Sequence, residues 1–358
     1  MNRTDHNVIS FGPDKVYTRH SEGAFLRLKD GQILFVYSRF SGSYDDDAPS
    51  DLVAIRSADE GETWSEAELV IPASFYQTKN VMSVSLMRMA NGDVGLFYLV
   101  KQNATVNRVM LSRSADEGKS FYKHVECSLP DRAGYYVLNN DRAERLANGR
   151  IILPLAFHRG NFEDGGSKGY FDGRGFTCFL YSDDDGETWK ESADTAYPPF
   201  AHSETGLQEP GVIEKKNGVL WAYSRTDQMY QYEYFSLDNG EHWTLPQASR
   251  FTSPASPMKI ARNPYTQDLV AIWNPIPNYN GRRIFRAGWG RTPLVYAVSA
   301  DDGMTWSEYT LIEGEEEHGY CYPAVFFTKD NAMLTGYCSG GPKDGICLAR
   351  LTIRKVWL

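Results

Sequence analysis

Cysteine is scarce and odd in number: Cys127, Cys178, Cys321, Cys338 and Cys347 are the five in 358 residues, with no C-x-x-C spacing. That argues against a disulfide frame or a zinc site and predicts reduced, mostly buried thiols. No run of Lys or Arg stands out and the formal net charge is −9, so nucleic acid is not an expected partner. No apolar run is long enough to cross a bilayer and mean hydropathy is −0.46, so a membrane is not expected either. The opening Met1 to His6 lacks the apolar stretch of a signal peptide, and a cytoplasmic address is the expectation. Helix-period segments are missing, as are linkers rich in Pro, Gly or Ser, and residues 1–358 read as one all-β domain.

What the chain has instead is repetition. Ser57-Ala58-Asp59-Glu60-Gly61-Glu62-Thr63-Trp64 returns at Ser114, Ser182, Ser236 and Ser299 as S-x-D-x-G-x-[TSH]-[WF]. Asp bonds its own backbone two residues on and Gly accepts positive φ, so each copy predicts a turn with the aromatic tucked beneath it. A calcium loop of the EF-hand type needs ligands spread over twelve residues and a closing Glu, which these copies lack.

Short strands bounded by Asp-Gly or Asn-Gly turns precede the first four copies, the first running from Phe25 to Leu28, Ile33 to Tyr37 and Leu52 to Arg56, and an Asn263-Pro264 to Asp268 turn precedes the fifth. The copies start 54 to 68 residues apart, and a sixth phrase near Asp330-Asn331 has no copy after it. Six units, each large enough for a four-stranded antiparallel sheet, predict a six-bladed β-propeller. Val8 to Phe11 would complete the last blade beside Gly345 to Trp357 and remove the exposed edges.

Propellers gather side chains from every blade around one axis. Candidates near strand entrances and exits are Arg39 with Asp45-Asp46-Asp47, Asn80, Asn139-Asn140-Asp141-Arg142, His158, Gln208-Glu209-Pro210, Arg225, Lys259, Arg291 and Tyr320-Cys321-Tyr322. Their chemistry suits an anionic or polyhydroxylated ligand, with carboxylates for acid and base work. Each also has a structural reading: rim arginines, a core Tyr322, a hydrated Asp run, turn-forming Asn139 and Asn140, and a packed His158.

The five copies are Asp boxes, and nearly the whole chain resembles the sialidase (neuraminidase) superfamily. In that family an arginine precedes an acidic loop, as Arg39 does here, and the general acid/base corresponds to Asp47. A Glu in an E-P-x-V setting followed by an arginine corresponds to Glu209-Pro210-Gly211-Val212 and Arg225. Arg291 precedes the last Asp box as a family arginine does, and the family's nucleophilic tyrosine corresponds to Tyr322. Two positions depart: Ser21 stands where the family has the arginine of its R-I-P motif, and Cys338 where it has a glutamate after the last blade's tyrosine. Arg19 and His20 are the neighbours that could replace the missing arginine.

The resemblance implies an exo-acting glycoside hydrolase that releases a terminal, acidic, sialic-acid-like sugar from a glycan, with no metal or cofactor. Tyr322 would be the nucleophile, Glu209 its base and Asp47 the acid/base, because a phenol with an ordinary pKa near 10 needs a carboxylate to activate it. Arg225 and Arg291 would bind the sugar's carboxylate, Asn80, Asp141 and His158 would bond its hydroxyls, and Arg39 and Tyr320 are further substrate-binding positions. The departures at Ser21 and Cys338 keep open a related glycosidase for a non-sialic sugar of a polysaccharide, inverting through Glu209 and Asp47. A non-catalytic carbohydrate-binding propeller is the third expectation.

Overall fold

A computed structural model describes residues 4–103, 105–129, 134–163, 168–279 and 281–358. Among them there is no α-helix, only two single-turn 3-10 segments at Ala73–Tyr76 and Arg286–Gly288. The strands form an all-β propeller of five hydrogen-bonded sheets. Gln208–Glu214, Leu220–Arg225, Tyr230–Ser236 and Gln247–Thr252 make one four-stranded sheet, and Lys259–Arg262, Leu269–Trp273, Leu294–Ser299 and Thr310–Glu313 the next. A five-stranded sheet is built on the long hairpin Ile151–Glu163 and Lys168–Ser182, with Tyr135–Val137 and Glu144–Arg145 on one edge and Lys190–Glu191 on the other.

The N-terminal strand His6–Phe11 pairs antiparallel with the C-terminal strand Leu351–Trp357, as expected, and so completes the sheet of Cys321–Phe327 and Ala332–Cys338. First and last segments of the chain thereby share one ladder.

The expected division into six separate blades is corrected at the start of the chain. Four blade-sized sheets stand alone, while the first two repeats share one sheet of eight strands. The join is local: Ser50 and Asn80 make a parallel bridge, the Ser50 N–H donates to the Lys79 carbonyl at 2.9 Å, and the Asn80 amide donates to the Ala48 carbonyl at 2.7 Å.

All five Asp boxes take the predicted turn. In each the Ser hydroxyl donates to the Asp at 2.7 to 2.9 Å and accepts the Gly N–H at 2.7 to 2.9 Å. The glycine is needed twice over. Gly61 and Gly186 sit at φ of 88°, and a Cβ there would come within 2.5 Å of Leu334 and Leu111, side chains of the preceding repeat. The boxes therefore fill the seams between repeats. Replacing Ser182, 1% exposed, with Ala orphans the Gly186 N–H and should lower unfolding stability by about 1–3 kcal/mol, read from urea titration.

A second repeat went unseen in the sequence. Arg27, Arg88, Arg145 and Arg262, near the ends of innermost strands, pair with Glu60, Glu117, Asp185 and Asp302, the residues before the box glycines, at 2.6 to 2.7 Å. These acids are themselves left-handed, with φ of 55° to 62°. The cysteines are all free and buried, as expected.

Candidate active site

Four innermost strands carry the same irregularity. The register slips between Ser21 and Ala24, Met82 and Ser85, Gln208 and Gly211, and Cys321 and Ala324. Inside each slip one residue is left-handed: Glu22 at φ 56°, Ser83 at 59°, Glu209 at 50° and Tyr322 at 57°. A bulge of this kind breaks strand alternation and re-aims one side chain. All four residues line one cavity of about 690 Å³.

Within it the Tyr322 phenol donates to Glu209 Oε1 at 2.8 Å, and Arg225 Nη1 donates to the same oxygen at 2.6 Å. Arg225 Nη2 donates to Gln208 Oε1 at 2.6 Å. Burial, and then the charge of Glu209, push the Tyr322 phenol well above its ordinary value, against the pull of Arg291 and Arg225. A proton acceptor is thus already in contact with a phenol that will not ionise unaided.

Arg291, 5% exposed, lies with its guanidinium 5.5 Å from the centre of the Tyr322 ring and 4.8 Å from that of Trp289. It donates to the Ala255 carbonyl and to the Cys321 thiol, both at 3.3 Å. Cys321, Cys338 and Cys347 pack together beneath Tyr322, so the position where the family resemblance called for a glutamate is filled by a thiol cluster. His158, 5% exposed, stacks on Phe171 at 5.4 Å and borders the cavity. Its ring bonds the Asp172 carbonyl at 3.2 Å, and burial lowers its pKa.

The acidic loop is displaced by one residue from the sequence expectation. Asp46 lines the cavity, whereas Asp47 is absent from the lining and pairs with Lys101 at 2.6 Å, its side chain 65% exposed. Asp46 is held through Oδ1 by Arg19 Nη1 at 2.6 Å. Crowding raises the Asp46 pKa, and the charge and hydrogen bond of Arg19, together with the charges of Lys101 and Arg291, more than offset this, leaving it below the ordinary value.

Neither neighbour of Ser21 replaces an arginine in the cavity lining. Arg19, 1% exposed, donates to Glu22 Oε2 at 2.8 Å, to Asp46, to Ser21 at 2.9 Å and to the Tyr44 carbonyl at 3.1 Å. His20 is stacked on Phe11 at 5.7 Å, and burial takes its pKa down to about 4.

Five other expected site residues have structural work and do not line the cavity. Arg39 stacks on the Tyr17 ring at 4.0 Å. The Asn80 amide donates to the Asp46 and Ala48 carbonyls at 3.0 and 2.7 Å and so fixes the acidic loop. Asp141 accepts the Val325 N–H at 3.1 Å and pairs with Lys259 at 3.2 Å, tying three repeats together. Asn140 bonds the Gly23 and Tyr322 carbonyls at 3.0 and 3.1 Å. Tyr320, 3% exposed, packs against His318 and Tyr337.

Besides Glu22, Ser83 and Asp46, the cavity adds Asn107, Tyr135, Phe171, Arg286 and Trp289 to the expected set. Glu22 was findable: Glu22-Gly23-Ala24, Glu209-Pro210-Gly211 and Tyr322-Pro323-Ala324 align as one phrase, which Ser83-Val84-Ser85 does not share. Among the described residues, Glu209 Oε2, Asn139 Nδ2 and Asn107 Oδ1 are buried lining atoms without a hydrogen-bond partner. Unmatched polar atoms around a concave space are what a polar ligand would satisfy.

Comparison with known proteins bears on the family and the fold. The BNR repeat-like domain matches residues 37–336. The chain belongs to the BNR repeat-like domain family. A curated relative, a sialidase from Bacteroides fragilis, is 23% identical over 320 residues. That alignment takes in 80% of this BNR chain and 54% of the relative, so the chain spans about half the length of the curated protein it matches. The Hadza microbial sialidase Hz136 superposes with a TM-score of 0.76 at 16% identity, over 99% of this chain and 69% of that one. NanB sialidase from Streptococcus pneumoniae gives 0.70 at 14% identity, over 100% and 71%. The BNR chain is thereby a member of the sialidase superfamily.

Proposed function

We propose that this chain is a glycoside hydrolase that removes a terminal sugar from a glycan. The observation that carries the reading is the hydrogen bond from Tyr322 to Glu209, set in the cavity beside Arg225 and Arg291. Glu209 takes the phenolic proton as the Tyr322 oxygen attacks the anomeric carbon, and a glycosyl-tyrosine forms as the leaving oxygen departs. Asp46, at the cavity through its loop, takes up a proton from solvent, passes it to that oxygen and later draws the proton from the water that frees the sugar. Two successive inversions, Tyr322 attacking one face of the sugar and water the opposite face, retain the anomeric configuration.

Release of sugar from a panel of 4-methylumbelliferyl glycosides, followed by fluorescence, tests the reaction. Wild-type protein should release label from at least one member and Tyr322→Phe from none. Binding of the glycoside with no release by wild type would instead indicate a carbohydrate-binding propeller. Asp46→Asn should lower kcat about 10²-fold on an unactivated oligosaccharide, with a smaller loss for Asp47→Asn. Equal losses would return the acid/base role to the loop as a whole.

A further inference from the structure

The cavity wall contributed by the strand Tyr17–Arg27 has a charge pattern that bears on which sugar enters. Glu22 occupies the same bulge position as Glu209 and Tyr322, and its side chain is only 5% exposed although it borders the cavity. Its Oε2 accepts Arg19 at 2.8 Å and Ser21 at 3.0 Å. The other oxygen, Oε1, has a single long bond of 3.4 Å, from Ser83, and Ser83 also borders the cavity. Asp46 places a second carboxylate on the same guanidinium. One arginine between two carboxylates leaves this wall with an excess negative charge.

Arg225 is likewise matched, by Glu209 and Gln208. Of the lining arginines, only Arg291 and the exposed Arg286 have no carboxylate partner among the described residues. A sugar carboxylate brought against Glu22 and Asp46 would meet like charge in a confined space, a repulsion that grows as water is excluded. A sugar hydroxyl there would instead give Glu22 Oε1 the strong, charge-assisted bond that it lacks.

We infer that Glu22 selects a sugar that presents a hydroxyl donor, not a carboxylate, to this wall, so that the terminal unit is a neutral hexose, deoxyhexose or pentose. The inference rests on the glycosidase reading of the cavity and names the substrate class for it.

The test is binding of methyl glycosides to Tyr322→Phe at pH 7.5, by calorimetry or saturation-transfer NMR. Galactose, glucose, mannose, fucose, rhamnose, xylose and arabinose are set against N-acetylneuraminic, glucuronic and galacturonic acid. At least one neutral glycoside should bind about tenfold or more tightly than every acidic one, and Glu22→Gln should weaken that binding about tenfold by removing the charge from the acceptor. An acidic sugar binding tighter than all neutral ones overturns the inference, as does saturable binding of none. If Glu22→Gln does not fold, the ranking with Glu22 in place decides alone. Wild type that binds a neutral glycoside but never cleaves it would defeat the glycosidase reading and leave the selection by Glu22 standing. Cleavage of a sialoside in preference to every neutral glycoside would do the reverse.

Discussion

Replacing Glu209 with Gln should lower kcat/KM on a cleaved glycoside about 10³-fold, a rise of about 4 kcal/mol in the barrier. Glutamine can still accept a hydrogen bond from the Tyr322 phenol, but it cannot take the proton. The phenol is held above its ordinary pKa by burial and by the Glu209 charge, so it has no other route to a phenolate. Tyr322→Phe should cost a comparable factor. Because the two side chains meet at 2.8 Å and act in one step, the double variant should be little worse than either single one. Steady-state kinetics on the three variants checks this, and losses that multiply would mean that the two groups do not act as a unit.

The second large effect concerns stability. Arg19→Met should destabilise the fold by about 3–5 kcal/mol at pH 8, because it leaves Glu22 buried without its counter-ion. Burial, partly offset by Arg19, already pushes the Glu22 carboxyl up to about 7. A carboxyl raised on folding binds more protons in the native state than in the unfolded one. Its contribution is full below an unfolded value near 4.5 and is lost as pH rises through about 7. Removing Arg19 raises Glu22 further and also takes from Asp46 a contribution present only above its unfolded pKa. The change at Glu22 makes the deficit larger at pH 8 than at pH 5, whereas the Asp46 contribution is lost about equally at both. Urea titrations at the two values should show it, and Glu22→Gln in the Arg19→Met background should recover much of the loss. A deficit that did not vary with pH would point to packing around Phe40, whose ring lies 4.3 Å from the Arg19 guanidinium.

Much of the frame was legible because its signals are local. Five Asp boxes, the Gly turns and the pairing of the first strand with the last follow from residues close in sequence or from the need to satisfy an open edge. Tyr322, Glu209, Arg225, Arg291 and His158 do reach one cavity. The misassignments share a cause in residues whose direction no strand period sets. In the Asp45-Asp46-Asp47 loop, one step decides which carboxylate faces the cavity and which faces Lys101. At Glu22, which was not among the sequence candidates, a left-handed bulge breaks the alternation and brings the residue to the cavity. Asn80, Asp141 and Tyr320 are polar or aromatic residues at strand entrances, like the true lining residues. Only the carbonyls, amides and rings around them show that their bonds are made within the frame. The fusion of the first two repeats rests on one bridge, Ser50 with Asn80, which no hydrophobic pattern encodes.

The bulge shared by Glu22, Ser83, Glu209 and Tyr322 has an evolutionary reading. At each place the backbone makes the same excursion with a different amino acid in it, a carboxylate twice, a hydroxyl once and a phenol once. The main chain therefore tolerates several chemistries at these addresses without being redrawn. A descendant could acquire a new sugar preference through one codon at Glu22 or Ser83, while Glu209 and Tyr322 went on with their task. Divergent preference within such a lineage would then leave its mark at a few left-handed positions and almost nowhere else.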